Sequence, residues 1–268
     1  MNRSTLRAYL RVVATVFLLH LKMQAVDLFV VFTVLIQPLL IALLAIYIQR
    51  DKAPDIAIYL IVGSGMTGLW SGLLFTSSFA IRGERWYGTL EMLVGTPTPL
   101  GVVMIGKVLA SVLLSLSSMV VGYLMAAALF RFTLYIMDLP GFLISLALTL
   151  LAFVTFGLVI APFFALSPAV EGWVNALEFP VYVLGGFLFP ILMLPGWSTP
   201  LSYMLSPYWA AQALHATSSG SGSVYPNFPV ALDWAMLLLF SAIYIFLSGR
   251  LFGMVLRRAK IDATLGLQ

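Results

Sequence analysis

From Leu28 to Ile48 the chain passes about 20 residues without one Asp, Glu, Lys or Arg, and a helix of that length crosses the hydrocarbon core of a bilayer. The same test predicts spans over about Ile56–Ile81, Val108–Phe130, Leu139–Leu166 and, with Arg250 near its end, Trp234–Leu256. One stretch is less regular. No Asp, Glu, Lys or Arg occurs from Phe179 to Leu232, but Pro180, Gly185, Gly186, Pro190, Pro195, Pro200 and Pro207 interrupt it. It reads as a span over Phe179–Leu194 followed by irregular or half-helical pieces, residues 195–230, that dip back from the outer face. Backbone of that kind survives at membrane depth only where protein or a water-filled cavity satisfies it. Trp197, Tyr203, Tyr208, Trp209 and Tyr225 suit an interfacial aromatic belt, and Ser218–Ser223 suits a flexible surface loop. The expected fold is therefore an all-α integral membrane domain, residues 1–268, with six transmembrane helices.

Composition agrees: 62% of residues are hydrophobic and 9% charged, against about 45–50% and about 25% in soluble domains. With no cysteine in the chain, disulfides, thiolate metal sites and cysteine nucleophiles are excluded. The net charge of +4 gathers at predicted membrane edges and argues against a nucleic-acid partner.

Residues 1–24 mix charge into apolar positions and lack a signal-peptide core. On a helical projection Arg3, Arg7, Arg11 and Lys22 share an arc of about 100°, and Leu6, Leu10, Val13 and Phe17 one of about 60°. That pattern reads as a helix lying on the membrane surface, its basic arc facing lipid headgroups or a cytoplasmic partner, ahead of the alternative that it is the solvated start of the first span. Under six spans, Arg3, Arg7, Arg11, Lys22, Arg82, Arg85, Lys107, Arg257, Arg258 and Lys260 fall on one side, and Arg50, Lys52 and Arg131 on the other. The positive-inside rule then puts both termini in the cytoplasm.

Deep ionisable groups, which carriers and pumps use, are scarce. Asp27, Glu178 and Asp233 read as span-end anchors. His20 is expected at the cytoplasmic surface and His215 in the outer loop, so Ser64 has no nearby base. Ser64, Gly68 and Gly72, four apart, read as a small-residue helix-packing face. Tyr182 and Phe189, seven apart, could face a pathway, or else the core or lipid. No GxxxxGK[ST] phosphate loop occurs.

The loop at residues 82–98 carries charge, aromatics and helix-compatible spacing, predicting a short amphipathic helix with Trp86, Leu90 and Leu93 on one side. Thr98 and Pro99 read as the cap and first turn of the third span. Such a helix, tied to two spans, can pass a push from a soluble partner into the membrane, and the segment reads equally as a plain loop with interfacial anchors.

The run Glu84-Arg85-x-x-Gly88-Thr89-Leu90-Glu91-x-Leu93-x-x-Thr96-Pro97, with Lys107 beyond it, resembles the signature of type-2 ATP-binding-cassette (ABC) permeases. Six spans, a basic amphipathic first helix and a Pro-rich re-entrant stretch extend the resemblance over essentially the whole chain. Leu205-Ser206-Pro207 and Gln212-Ala213-Leu214 also resemble the family's outer segment, where His215 stands in place of a common arginine. The resemblance implies an exporter subunit in a plasma (inner) membrane, paired with a second copy or a paralogue. It is driven by a separate cytoplasmic ATPase that binds ATP and Mg, with no cofactor in this chain. Residues Glu84 to Leu93 would form the coupling helix, with Glu84, Arg85 and Glu91 in polar contacts and Leu90 and Leu93 packed. The path would run between the two permeases, lined by the second and fifth spans, which carry Ser64 and Tyr182. An apolar path suits an amphipathic drug, lipid or glycan. The rival classes are a stand-alone carrier, an intramembrane enzyme and a non-transporting scaffold.

Overall fold

The computed structural model describes residues 3–49, 55–130, 136–166, 173–219 and 228–261. Arg50, Lys52, Arg131, residues 220–223 of the serine-rich loop and Tyr225 lie outside the described residues, as do the side chains of Arg85 and Glu91. Among the described residues the chain is all helical, with no strand. Five of these helices are long and apolar enough to cross a membrane, and the chain is a multi-pass membrane protein.

Helix α1, Arg3–Val26, lies largely exposed along the base of α6, Leu100–Phe130. A Cβ at Gly106 would come within 2.8 Å of the Val13 carbonyl oxygen, while Gln24 Nε2 donates to Ser111 Oγ at 3.0 Å. More of α1 than of α6 is used between those two contacts, so the helices cross obliquely. By length and composition α1 is itself among the five membrane-length helices. Asp27 ends it and caps α2, Leu28–Val31, accepting from the Phe29 N–H at 2.9 Å. A π-helical turn, Phe32–Ile36, follows, and then α3, Gln37–Gln49. The wide turn lies just before Pro38, whose ring would otherwise press on the carbonyl one turn back.

The centre of the molecule is α4, Asp55–Trp86, 32 residues long. At 1.5 Å per residue it measures about 48 Å, well beyond a bilayer core of about 30 Å. Its apolar side chains, Met66, Leu69, Trp70, Leu73 and Leu74 among them, are buried against α3, α6, α7 (Leu139–Leu166), α8 (Trp173–Leu184) and α10 (Ser206–Ser219). The last helix, α11, Val230–Ile261, packs one side on α7 and α10 and leaves Leu238, Leu239, Ile243 and Phe246 exposed, a face suited to lipid.

The helix of the third span begins at Leu100, directly after Thr98 and Pro99, the pair expected to open it ahead of the apolar stretch from Val108. Other expectations are corrected. The span expected over Phe179–Leu194 stops at Leu184. There the Phe187 N–H donates to the Tyr182 carbonyl at 3.3 Å and the Gly186 N–H to that of Val183 at 3.2 Å, with Gly186 at φ 67°. This is the Schellman arrangement, and it turns the chain where an L side chain would be strained. Tyr182 and Phe189 therefore share no helix face. The described residues of 195–219 are also more regular than expected. After a short α9, Thr199–Tyr203, the 14-residue α10 is buried against α4, α7 and α11. Tyr208 and Trp209 are buried instead of belting an interface, whereas Trp197 is exposed. His215 is fully buried on α10, stacked on Tyr59 with ring centroids 3.9 Å apart. Asp233 and Glu178, expected at membrane edges, are buried as well.

Candidate functional site

Where α4 leaves the apolar interior, its last turn forms the base of a compact knob. Helix α4 continues through Arg82 to Trp86, into the segment expected as a separate short helix. It ends because Gly88 adopts φ 68°, which lets the Thr89 N–H reach back to the Glu84 carbonyl at 2.9 Å. Only Leu90–Gly95 forms the separate helix, α5. Trp86, expected on one side with Leu90 and Leu93, stands apart at 84% exposed, while Leu90 is 4% exposed and Leu93 half-buried.

Three side chains lock the knob. The Glu84 carboxylate pairs with the Lys107 ammonium of α6 and accepts a hydrogen bond from the Thr89 hydroxyl. Lys107 Nζ also donates to the Ala80 carbonyl at 2.9 Å. Both charged side chains are mostly buried, so this charge-assisted pair is shielded from solvent. Thr96 closes the far end of α5, its hydroxyl donating to the Leu93 carbonyl at 2.8 Å, and Pro97 is exposed. Glu84 thus bonds within the chain, to Lys107 and Thr89.

Leu90 plugs this knob into a second apolar core. It packs in one cluster with Ile81 of α4, Leu100 and Met104 of α6, Ala161 of α7 and Phe252 of α11, and Val12 and Val16 of α1 pack against the same cluster. Because packed interiors are not continuously deformable, displacing α5 displaces the ends of several long helices together. Trp86, Tyr87 and Met92 of the knob are exposed.

Behind the knob, between α1, α2, α4 and α6, lies a cavity of about 390 Å³. Leu19, Met23, Phe75 and Phe79 form its apolar wall, and His20, Gln24, Glu84 and Lys107 its polar end.

The small residues on α4 sit at helix crossings. A Cβ at Gly68 would meet Ser118 Oγ at 2.4 Å and Pro38 Cγ at 2.8 Å, and one at Gly72 would meet Ser115 Oγ at 1.9 Å. The Ser64 hydroxyl donates to the Ile61 carbonyl at 2.9 Å. A buried polar cluster absent from the sequence reading joins α4 to α8. Glu178 Oε1 accepts from Ser71 Oγ at 2.5 Å and from Tyr182 OH at 2.6 Å. Its signal was the spacing of Glu178 and Tyr182, four apart and so on one helical face. Phe189 is half-buried beyond the end of α8. No family model and no curated protein matches this chain.

Proposed function

We propose that this chain is the permease subunit of an ATP-driven exporter of the type-2 ABC kind, docked through the knob onto a separate cytoplasmic ATPase and paired with a second permease. The observation that carries this reading is the mechanical continuity of the knob. Its exposed residues Trp86, Tyr87 and Met92 sit on a turn and a short helix that Leu90, Glu84 and Lys107 fasten to α4 and α6. A partner that grips this face can move two membrane-length helices with no ionisable relay inside them. In this reading α2 and α3 make the first span, α8 to α10 the broken fifth and its re-entrant return, and α1 lies in the interface. Its two ends are cytoplasmic by the charge bias of the loops.

The test uses the absence of native cysteine. Met92→Cys should react with an impermeant maleimide only when the cytoplasmic face is open. Trp86→Ala combined with Met92→Glu should strip the ATPase subunit from the purified complex while membrane insertion stays normal. Labelling from outside, or undiminished ATPase association by the double variant, would overturn the proposal.

A further inference from the structure

The cavity behind the knob is claimed by none of the chemistry above. At about 390 Å³ it falls within the range of small-molecule sites, and its wall is aliphatic and aromatic. Two polar atoms facing this region have no partner among the described residues: Gln24 Oε1 and His20 Nε2. They are four apart on α1 and so share a face. Gln24 is 6% exposed, and its amide nitrogen is already given to Ser111 Oγ, which leaves an acceptor in need of a donor. Leaving it empty costs desolvation, so a hydroxyl placed there gains what the protein lacks.

Charge narrows the ligand further. The Glu84 carboxylate and Lys107 ammonium at the polar end satisfy each other. The Asp27 carboxylate, which caps α2, also lines the cavity and opposes an anionic head. Neither an ionised carboxylate nor a quaternary ammonium carries a hydrogen for the Gln24 oxygen, so either head would leave that acceptor unmet, whereas a hydroxyl meets it.

We infer that this cavity binds a single-chain amphiphile with an uncharged hydroxyl head, its hydroxyl on Gln24 Oε1 and His20 Nε2 and its chain along Leu19, Met23 and Phe75. That this molecule is cargo rests on the exporter reading; that it binds does not.

Equilibrium binding of radiolabelled 1-monolauroylglycerol to the purified full chain tests this, with dodecanoate and dodecyltrimethylammonium as charged competitors. The neutral probe should bind about tenfold or more tighter than either, and Gln24→Leu should weaken it by about the same factor. Gly83→Leu supplies a variant with little risk to folding, because a Cβ there meets only Tyr87 Cε2, at 4.0 Å. It fills the cavity and should abolish saturable binding, with wild type in the same detergent correcting for partition. Equal binding of the three probes, or unchanged binding by the Gly83 variant, would overturn the site. The measurement needs no ATPase, so a negative result leaves the docking proposal standing, and loss of ATPase association leaves the cavity assignment standing.

Discussion

Replacing Gly88 isolates what the backbone contributes to the knob. Gly88 holds φ 68°, and a Cβ built on it has nothing within 4 Å. Substitution there therefore carries a torsional cost without a steric one. For alanine that cost is about 1–2 kcal/mol, the penalty of the left-handed region for an L residue. On a two-state lock this shifts the ratio of closed to open knob by about 5- to 30-fold. Asparagine tolerates this region better and should recover most of the loss, whereas valine, branched at Cβ, should fare worst. The bonds at stake are the Thr89 N–H to the Glu84 carbonyl, at 2.9 Å, and the Thr89 hydroxyl to the Glu84 carboxylate. Amide hydrogen exchange across Leu90–Gly95 in the full chain reads the lock directly, and rates should rise in the order Gly, Asn, Ala, Val. Global melting should change little, because α4 and α6 are held by the main core. Identical exchange in all four proteins, or asparagine as fast as alanine, would refute the view that a left-handed glycine sets the end of α4.

A second glycine behaves oppositely. A Cβ at Gly63 would lie 1.8 Å from the Phe187 carbonyl oxygen, so Gly63→Ala must push the α8 turn away from α4. It should cost about 3 kcal/mol and appear as loss of the monodisperse peak in size exclusion, while Gly95→Ala, with open space around it, is near neutral. Lys107→Met leaves the mostly buried Glu84 with a hydroxyl partner only and should destabilise by about 2 kcal/mol. Adding Glu84→Gln should restore part of that loss, and a thermal-melt double-mutant cycle showing strict additivity would remove the pair from the lock.

Hydropathy located most of the long helices, because the constraint it reads is absolute: backbone in lipid must bond to itself. Five of the predicted spans coincide with described helices or, for the first, with α2, the π turn and α3. The broken region was legible only as broken. Proline and glycine positions report where a helix cannot continue, but not that α10 would bury Tyr208, Trp209 and His215 against three neighbours. That burial depends on partners far along the chain, such as Tyr59 beneath the His215 ring. The loop motif was visible, yet its roles were not. Gly88 and Thr89 look like neutral spacers until the φ of one and the bonds of the other show a helix terminator and a tie. Glu84 looks like a surface charge until Lys107, 23 positions on, turns toward it.

The buried carboxyls bear on how the chain is powered, since a group that takes up and releases a proton or cation could drive transport without an ATPase. Glu178 is placed otherwise. One of its oxygens receives both the Ser71 and the Tyr182 hydroxyls, and the residue is 2% exposed, fastening α8 to α4 from inside. A carboxyl so committed would have to break one interhelical bond, from Ser71, and one within α8, from Tyr182, to exchange an ion, which makes it a clasp before it is a relay. Asp233 stands buried in the first turn of α11, with neither carboxyl oxygen bonded among the described residues. Among the described residues no group of three His, Asp or Glu comes together to hold a metal ion. Among the described residues Glu178 and Asp233 stand singly, on α8 and α11. Motion imposed at α5 has a packed path to follow, through Leu90 into the cluster that joins the ends of α4, α6, α7 and α11.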